Sequence, residues 1–168
     1  MTNQNYWDEI VNNLKEKGLT VATMESCTGG GIASAITNVY GASAVLSESY
    51  VTYSNDAKIK QGVRASVIEK HTVYSQETAI EMAKAVKSKA ESDVGIGVTG
   101  QLGRIDPNNH VDKLNVVWFA IVNQNDEVYT KELRVPDSKR MEQKDYVIDS
   151  VARELIDLIW LRRGEFYG

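Results

Sequence analysis

The 168-residue sequence is poor in the residues that form disulfides and metal sites or that interrupt secondary structure. It contains one cysteine, Cys27, together with two histidines and two prolines. A single cysteine excludes an intrachain disulfide and a zinc site built from cysteines. We find no repeat, no low-complexity tract and no linker rich in proline or serine. The sequence therefore predicts a single domain over residues 1–168.

Long apolar runs and an excess of positive charge are also missing. No segment approaches the roughly 20 apolar residues that a transmembrane helix needs, and the polar N-terminus does not resemble a secretory signal. The formal charge of −4 disfavours sequence-independent binding to a phosphate backbone. We therefore expect a cytoplasmic protein without a membrane or nucleic-acid partner.

The apolar pattern predicts a layered α/β fold with a mixed sheet. Helical spacing of apolar residues marks segments 6–17 and 76–90, and a last helix is expected from Asp137 to about 162. Further helices are expected over 32–41 and from residue 57, and strands over 19–24, 45–53 and 94–99. Segments 114–122 and 127–135 are predicted to form an antiparallel hairpin.

Segment 25–31, E-S-C-T-G-G-G, joins a predicted strand to a predicted helix. Amide groups at such a helix N-terminus bind phosphate or carboxylate, and Ser26 is expected at the mouth of the turn with a free hydroxyl. The other interpretation is a turn that is simply capped by Ser26 or Thr28. Cys27 has no histidine placed as its partner, so we expect it to be a small buried residue.

Segment 53–58, Y-S-N-D-A-K, ends a predicted strand and opens a helix, so its side chains are expected at the same end of the sheet. A serine nucleophile needs a base, and neither His71 nor His110 is placed to serve. A serine and a lysine assisted by a tyrosine can replace the histidine. Lys58 acts as a base only if its pKa falls from about 10.4 toward about 7–8. Otherwise Lys58 is a solvated lysine in the first turn of a helix.

These segments carry a resemblance to a known family. Residues 22–30, A-T-M-E-S-C-T-G-G, resemble the A-x-x-E-S-C-T-G-G signature of the C-terminal domain of the competence/damage-inducible protein CinA. The similarity continues through 37–44, T-N-V-Y-G-A-S-A, and 51–58, V-T-Y-S-N-D-A-K, and spans about residues 5–162. Such a domain implies a three-layer α/β/α fold with a mixed, mostly parallel sheet.

Stand-alone members of this family are nicotinamide-nucleotide amidohydrolases. The resemblance therefore implies hydrolysis of the carboxamide of nicotinamide mononucleotide to nicotinic acid mononucleotide and ammonia, with no metal or other cofactor. It implies a catalytic set in which Ser26 attacks the amide carbon or orients water, and Lys58 moves the proton with Tyr53 as a relay. The turn amides are expected to bind the phosphate or the oxyanion. The implied substrate-binding residues are Thr28, Gly29, Gly30, Ser43, Thr99, Gly100 and Arg104.

The segment after residue 99 departs from the family pattern T-G-x-A-G-P-x-G-G. It keeps Gly100 and Gly103, but Arg104 replaces the proline. Further on, Asp112 and Asn115 stand where the family has a lysine and a glycine. The carboxylate of Asp112 would repel a phosphate, and the side chain of Asn115 can fill space that a ligand needs. The loop is expected to form one wall of the site or to be a simple connection.

Two classes of function therefore remain open. The first is an amidohydrolase with a small nucleotide substrate, and the alternative is a catalytically inactive CinA-like paralogue that binds a nucleotide or a protein. The two classes are distinguished by where three cationic side chains point: Arg104, Lys139 and Arg140. If they point into the cleft beside Ser26, they would form a phosphate site with cations different from the family's. A homo-oligomer is also expected, with Trp160 and Phe166 as candidates for the interface.

Overall fold

The computed structural model describes residues 3–103 and 114–167, with side chains through residue 158. A five-stranded sheet lies at its centre. The strands are β1 (Val21–Glu25), β2 (Tyr50–Val51), β3 (Val94–Gln101), β4 (Val116–Val122) and β5 (Val128–Arg134). The helices are α1 (Gln4–Lys17), α2 (Gly31–Thr37), α3 (Asn55–Lys60), α4 (Ala65–His71), α5 (Gln76–Ala90) and α6 (Arg140–Tyr167).

The strand order is β2-β1-β3-β4-β5. Strand β1 pairs in parallel with β2 and with β3, whereas β4 is antiparallel to both β3 and β5. Within the described part of the chain, β4 alone therefore runs against the other strands. This mixed sheet confirms the predicted α/β fold, and the β4–β5 pair confirms the predicted hairpin.

One face of the sheet is covered by α1, α2 and α6. Apolar side chains of these helices meet every second residue of the central strands, such as Ile96 and Val98 of β3. The helical residues of this core are fully or almost fully buried: Trp7, Ile10, Val11, Ile32, Ile36, Val147, Val151 and Leu155. A continuous apolar core on this face fixes α2 and α6 beside each other.

The opposite face is covered by α5, whose residues Ala79, Met82 and Ala83 are buried. Glycine at two positions of β3 permits this helix to lie close to the sheet. A Cβ added at Gly95 would come within 2.3 Å of the Ala83 carbonyl oxygen, and one added at Gly97 within 2.4 Å of the Ala79 carbonyl oxygen. Because a backbone cannot yield as a flexible side chain can, these glycines set the helix-to-sheet distance. Helices therefore cover both faces, as the three-layer expectation requires.

The predicted strand 45–53 is the main error in the predicted elements. Only Tyr50 and Val51 pair with β1, and a 3₁₀ turn occupies Ala42–Ala44. The Val45 carbonyl still accepts the Val21 amide at 2.7 Å, so the segment follows the sheet edge without joining it as a full strand.

Helix α6 begins at Arg140, three residues after the predicted cap Asp137. Its apolar residues Val147, Val151 and Leu155 are buried, while Arg153 between them is exposed. None of the described helices combines the length and the apolar character needed to cross a membrane.

Candidate active site

The candidate site lies at the edge of the sheet where the parallel strands β1, β2 and β3 end. The connection from β1 to β2 contains α2 on one face, and the connection from β2 to β3 contains α5 on the other. Connections that leave for opposite faces open a crevice at the carboxyl ends of the strands, where α/β proteins bind ligands. Segments 25–31 and 53–58 both lie at this edge, as predicted.

Ser26 and Lys58 are brought together at this edge. Lys58 extends from α3, which begins after Ser54 because the Ser54 hydroxyl accepts the Ala57 amide at 3.1 Å. The Lys58 Nζ lies 3.3 Å from the Ser26 Oγ and donates to the Thr52 carbonyl at 2.7 Å. This contact is the nucleophile-to-base geometry that a serine–lysine site requires.

Burial changes the acid–base properties of Lys58. Its side chain belongs to the interior, with 1% exposure, and the expectation of a solvated lysine is therefore wrong. Removal from water disfavours the ammonium form and lowers the pKa of Lys58 from 10.5 to about 8. The amine is thus within reach of the pKa range that a general base needs.

Glu25 caps α2, a role that the sequence did not reveal. Its buried carboxylate accepts the amides of Ile32 and Ala33 at 2.8 and 2.9 Å. It also accepts the hydroxyls of Thr28 and Thr23 at 2.7 and 2.9 Å. The amides of Ile32 and Ala33 are therefore not free to bind a ligand anion, because the chain supplies the anion itself.

The turn between β1 and α2 is largely closed by its own hydrogen bonds. The Gly29 amide donates to the Ser26 carbonyl at 2.9 Å, and the Gly31 amide donates to the Thr28 carbonyl at 3.0 Å. Neither Ser26 nor Thr28 caps the helix, since the N-cap position is Gly30, with φ of 90°, and the capping side chain is Glu25. Among the described residues, the amides of Thr28 and Gly30 have no acceptor.

Tyr53 lies at the same edge, but its phenol is hydrogen-bonded to Arg140 rather than to the serine–lysine pair. The Arg140 guanidinium donates to the Tyr53 hydroxyl at 2.6 Å, and the side chain of Tyr53 is 63% exposed. No hydrogen bond joins this phenol to Ser26 or Lys58 in the described structure. In this state Tyr53 is not the relay that the resemblance implied.

A cleft of about 530 Å³ opens between α2 and the first turns of α6. This volume falls in the range of about 300–1,000 Å³ that small-molecule sites occupy. Arg140 and Lys144 bring two cations into the cleft, and the Lys144 Nζ lies 3.2 Å from the position of a Cβ added at Gly29. The lining residues are Cys27, Gly29, Gly31, Ser34, Ala35, Asn38, Tyr53, Arg140, Met141, Lys144, Asp145 and Ile148. Of the three cations that the sequence singled out, Arg140 lines this cleft and the exposed Lys139 does not.

Among the described residues that the resemblance implied, Gly29 and Tyr53 line this cleft, whereas Ser26, Lys58, Thr28 and Gly30 do not. Thr99, Gly100 and Ser43 do not line it either. The buried Thr99 hydroxyl donates to the Val73 carbonyl at 2.8 Å. A Cβ added at Gly100 would lie 2.6 Å from the Val116 carbonyl oxygen, so this glycine permits the β3–β4 pairing. Ser43 is exposed in the 3₁₀ turn.

Several predicted residues lie outside the described parts of the structure. These are Arg104, His110 and Asp112, and also the side chains of Trp160 and Phe166. Asn115 is described and does not enter the cleft. Its side-chain oxygen accepts the Gly103 amide and the Gln143 amide, each at 3.0 Å. Its φ of 61° explains why a glycine is acceptable at this position in the family.

Cys27 lines the cleft but is poorly suited to act as a nucleophile. Burial raises the pKa of its thiol to about 12, despite the opposing charges of Lys58 and Arg140. A thiol with such a pKa is protonated at neutral pH, and the thiolate is the reactive form. The residue is 5% exposed, so the prediction of a small buried residue is confirmed.

The fold and the site together define an α/β protein with a buried serine–lysine pair beside a cationic cleft. Residues 3–159 match the sequence profile of the CinA C-terminal domain. The chain belongs to this family.

Related sequences carry two kinds of description. A nicotinamide-nucleotide amidohydrolase, PncC of Escherichia coli, is 35% identical over 125 residues, which are 74% of this chain and 75% of that protein. A CinA-like protein of Kosmotoga olearia is 47% identical over 95 residues, or 56% of this chain and 23% of the relative. The chain thus spans about a quarter of the length of the first curated relatives that it matches.

Solved structures give the same family. The competence/damage-inducible protein CihA of Agrobacterium tumefaciens superposes with a TM-score of 0.85 at 31% identity, covering 92% of this chain and 94% of that one. A CinA superfamily protein from Escherichia coli gives a TM-score of 0.84 at 26% identity, covering 92% and 89% of the two chains.

Proposed function

We propose that this protein is an amidohydrolase that converts nicotinamide mononucleotide to nicotinic acid mononucleotide and ammonia. The observation that carries the proposal is the contact between the Lys58 amine and the Ser26 hydroxyl. The description of the Escherichia coli relative as a nicotinamide-nucleotide amidohydrolase supports this choice of substrate class. Most of the other relatives have general CinA names, so the substrate rests on that one relative and on the chemistry of the cleft.

In the proposed mechanism, neutral Lys58 removes the proton from the Ser26 hydroxyl. The Ser26 oxygen attacks the carboxamide carbon, and the protonated Lys58 gives the proton to the leaving nitrogen. The C–N bond breaks, ammonia leaves and an ester with Ser26 remains. Water then attacks this ester with Lys58 as the base, which releases the carboxylic acid and restores the serine.

The Thr52 carbonyl orients the amine for this reaction. A neutral lysine has two N–H groups and one lone pair, and one N–H donates to the Thr52 carbonyl at 2.7 Å. With this N–H anchored, the nitrogen stays within contact of the Ser26 Oγ, so the lone pair of the neutral amine is available to take the hydroxyl proton. The free amides of Thr28 and Gly30 are the candidates for stabilising the oxyanion, since Ser26 belongs to the same turn.

Arg140 and Lys144 are the candidates for binding the substrate phosphate. Both line the cleft, and no described carboxylate lies within ion-pair distance of either cation. A phosphate accepts two parallel hydrogen bonds from a guanidinium. The cleft therefore supplies positive charge to a substrate whose carboxamide reaches toward Ser26.

The decisive experiment is to measure ammonia and nicotinic acid mononucleotide formed from nicotinamide mononucleotide by the purified protein. We expect Ser26→Ala and Lys58→Met to lower the rate by at least about a thousandfold, because each removes one member of a unit that acts together. Ser66→Ala and Lys70→Met are matched controls on α4, away from the cleft, and should retain the wild-type rate.

Two results would contradict the proposal. Absence of product at high protein concentration would favour the alternative of a binding module, which calorimetric titration with the same nucleotide would test directly. Product formation that survives Ser26→Ala would show that another group performs the attack.

A further inference from the structure

We infer that Arg140 is a specificity-determining residue that makes turnover depend on an anionic group of the substrate. The guanidinium that is placed to bind this anion is also the group that holds the phenol of Tyr53. An incoming anion takes Arg140 away from the phenol, and the freed phenol turns toward Ser26 and Lys58, where it relays the proton from Lys58 to the leaving nitrogen. This inference rests on the proposed function and concerns how the same site recognises its substrate.

The first observation is the position of the contact. Tyr53 follows β2, and Arg140 begins α6, so their 2.6 Å hydrogen bond joins two different walls of the cleft across 87 positions of the sequence. Cys27, the neighbour of Ser26 in the chain, lines the same cleft. A ligand between α2 and α6 therefore meets the Arg140–Tyr53 contact directly.

The second observation is the mismatch in charge within this contact. The partner of the Arg140 cation is an uncharged phenol, and no described carboxylate lies within ion-pair distance of the guanidinium. The phenol oxygen carries no charge and accepts a single bond from the guanidinium, whereas an anion attracts the cation and accepts two parallel N–H bonds from it. A substrate phosphate or carboxylate therefore displaces the phenol at equilibrium.

The third observation is that Tyr53 is free to turn. Its side chain is 63% exposed, and Arg140 is exposed as well. Rotation of an exposed side chain requires no repacking of the core, and it is rapid compared with enzymatic turnover. By contrast, Ser26 and Lys58 are buried and already in contact, so Tyr53 is the part of the site that a ligand can rearrange.

The consequence is kinetic. If Arg140 only held the anion, removing the anion from the substrate would raise KM and leave kcat unchanged. If the anion also releases Tyr53, part of the anion's binding energy is used to lower the barrier of the chemical step. A substrate without the anion then has a lower kcat.

The test compares nicotinamide mononucleotide with nicotinamide riboside, which lacks the phosphate. For the wild-type protein we expect the kcat for the riboside to be at least about tenfold lower. Added phosphite should raise turnover of the riboside, because the free dianion occupies Arg140 and releases the phenol. Arg140→Met should lower kcat for the mononucleotide and abolish the effect of phosphite. Arg140→Lys, which keeps the charge but not the guanidinium, should retain only part of the wild-type kcat and of the phosphite effect.

Arg153→Met is the matched control, because it removes an exposed guanidinium from the same helix away from the cleft. Arg153→Met should leave the kcat for both substrates, and the increase that phosphite causes, at their wild-type values. Equal kcat values for the two substrates, or an undiminished phosphite response in Arg140→Met, would overturn the inference.

A second measurement does not depend on activity. In protein labelled with ¹³C at the tyrosine ring, Tyr53→Phe identifies the Tyr53 signal. Inorganic phosphate should shift this signal in the wild type and not in Arg140→Met, and an unmoved signal at saturating phosphate would refute the coupling. A shift without any ammonia release would instead leave the coupling standing and refute the proposed reaction.

Discussion

The carboxylate of Glu25 accepts the backbone amide of Ile32 at 2.8 Å, so the last residue of β1 caps the helix that follows it. Ser26 lies between this capped helix and the strand, and its own amide donates to the Val98 carbonyl at 3.1 Å. The serine is therefore held from both sides. The first amides of α2 already hold the Glu25 carboxylate, which leaves Arg140 and Lys144 as the proposed partners of the substrate phosphate.

Glu25→Gln should destabilise the protein and slow the reaction. All four partners of the carboxylate in the described structure are donors. An amide NH₂ cannot accept from them, and buried donors left without an acceptor are costly. We expect the free energy of unfolding in urea to fall by about 2–4 kcal/mol, with lower kcat from the loosened turn.

Glu69→Gln provides the control for this variant, because Glu69 is exposed on α4. Its free energy of unfolding should lie within about 0.5 kcal/mol of the wild-type value. If Glu25→Gln were equally mild, the carboxylate would not be what holds α2 and the Ser26 turn.

The rate of ammonia release should rise with pH. Burial lowers the pKa of Lys58 to about 8, and only the uncharged amine accepts the proton of Ser26. Below this pKa, kcat/KM should rise about tenfold per pH unit, and above it the rate should level off. A profile measured from pH 6 to 9.5 that stays flat, or that still rises about tenfold per pH unit at its upper end, would show that no base with a pKa of about 8 takes part.

Asn115→Ala should cost more stability than Asn115→Gly. In both variants the Gly103 backbone amide and the Gln143 side-chain amide lose the acceptor that the Asn115 side chain provides. Glycine removes the strain of a Cβ at the φ of 61°, whereas alanine keeps that Cβ without the polar side chain that helps asparagine adopt this conformation. We expect losses of about 2 kcal/mol for alanine and about 1 kcal/mol for glycine in urea unfolding. The reverse order would indicate that the turn relaxes.

Cys27 should react slowly with iodoacetamide at pH 8. Burial raises the pKa of its thiol to about 12, so little thiolate is present. Full labelling after unfolding in urea and rapid labelling of a Ser66→Cys variant are the controls. Cys27→Ala should keep ammonia release within about threefold of the wild-type rate, since the side chain lines the cleft without a chemical role.

Local sequence patterns predicted α5 well and α4 not at all. Ser75 accepts the Thr78 amide at 3.2 Å, and the buried residues of α5 recur with helical spacing. By contrast, α4 buries none of its residues, so it has no apolar stripe that periodicity analysis can detect. The β2 segment was predicted too long because β-rich composition does not tell how many residues of an edge find a partner.

The sequence by itself determined most of the helices and strands, the two turns that carry Ser26 and Lys58, and the likeness to the CinA C-terminal domain. Only the tertiary structure decided how these residues interact. Ser26 and Lys58 are 32 positions apart, and Tyr53 and Arg140 are 87 apart, so no local pattern encodes their contacts. The charge state of Lys58 likewise depends on burial, a property of the packed molecule, because removal from water is what disfavours its ammonium form.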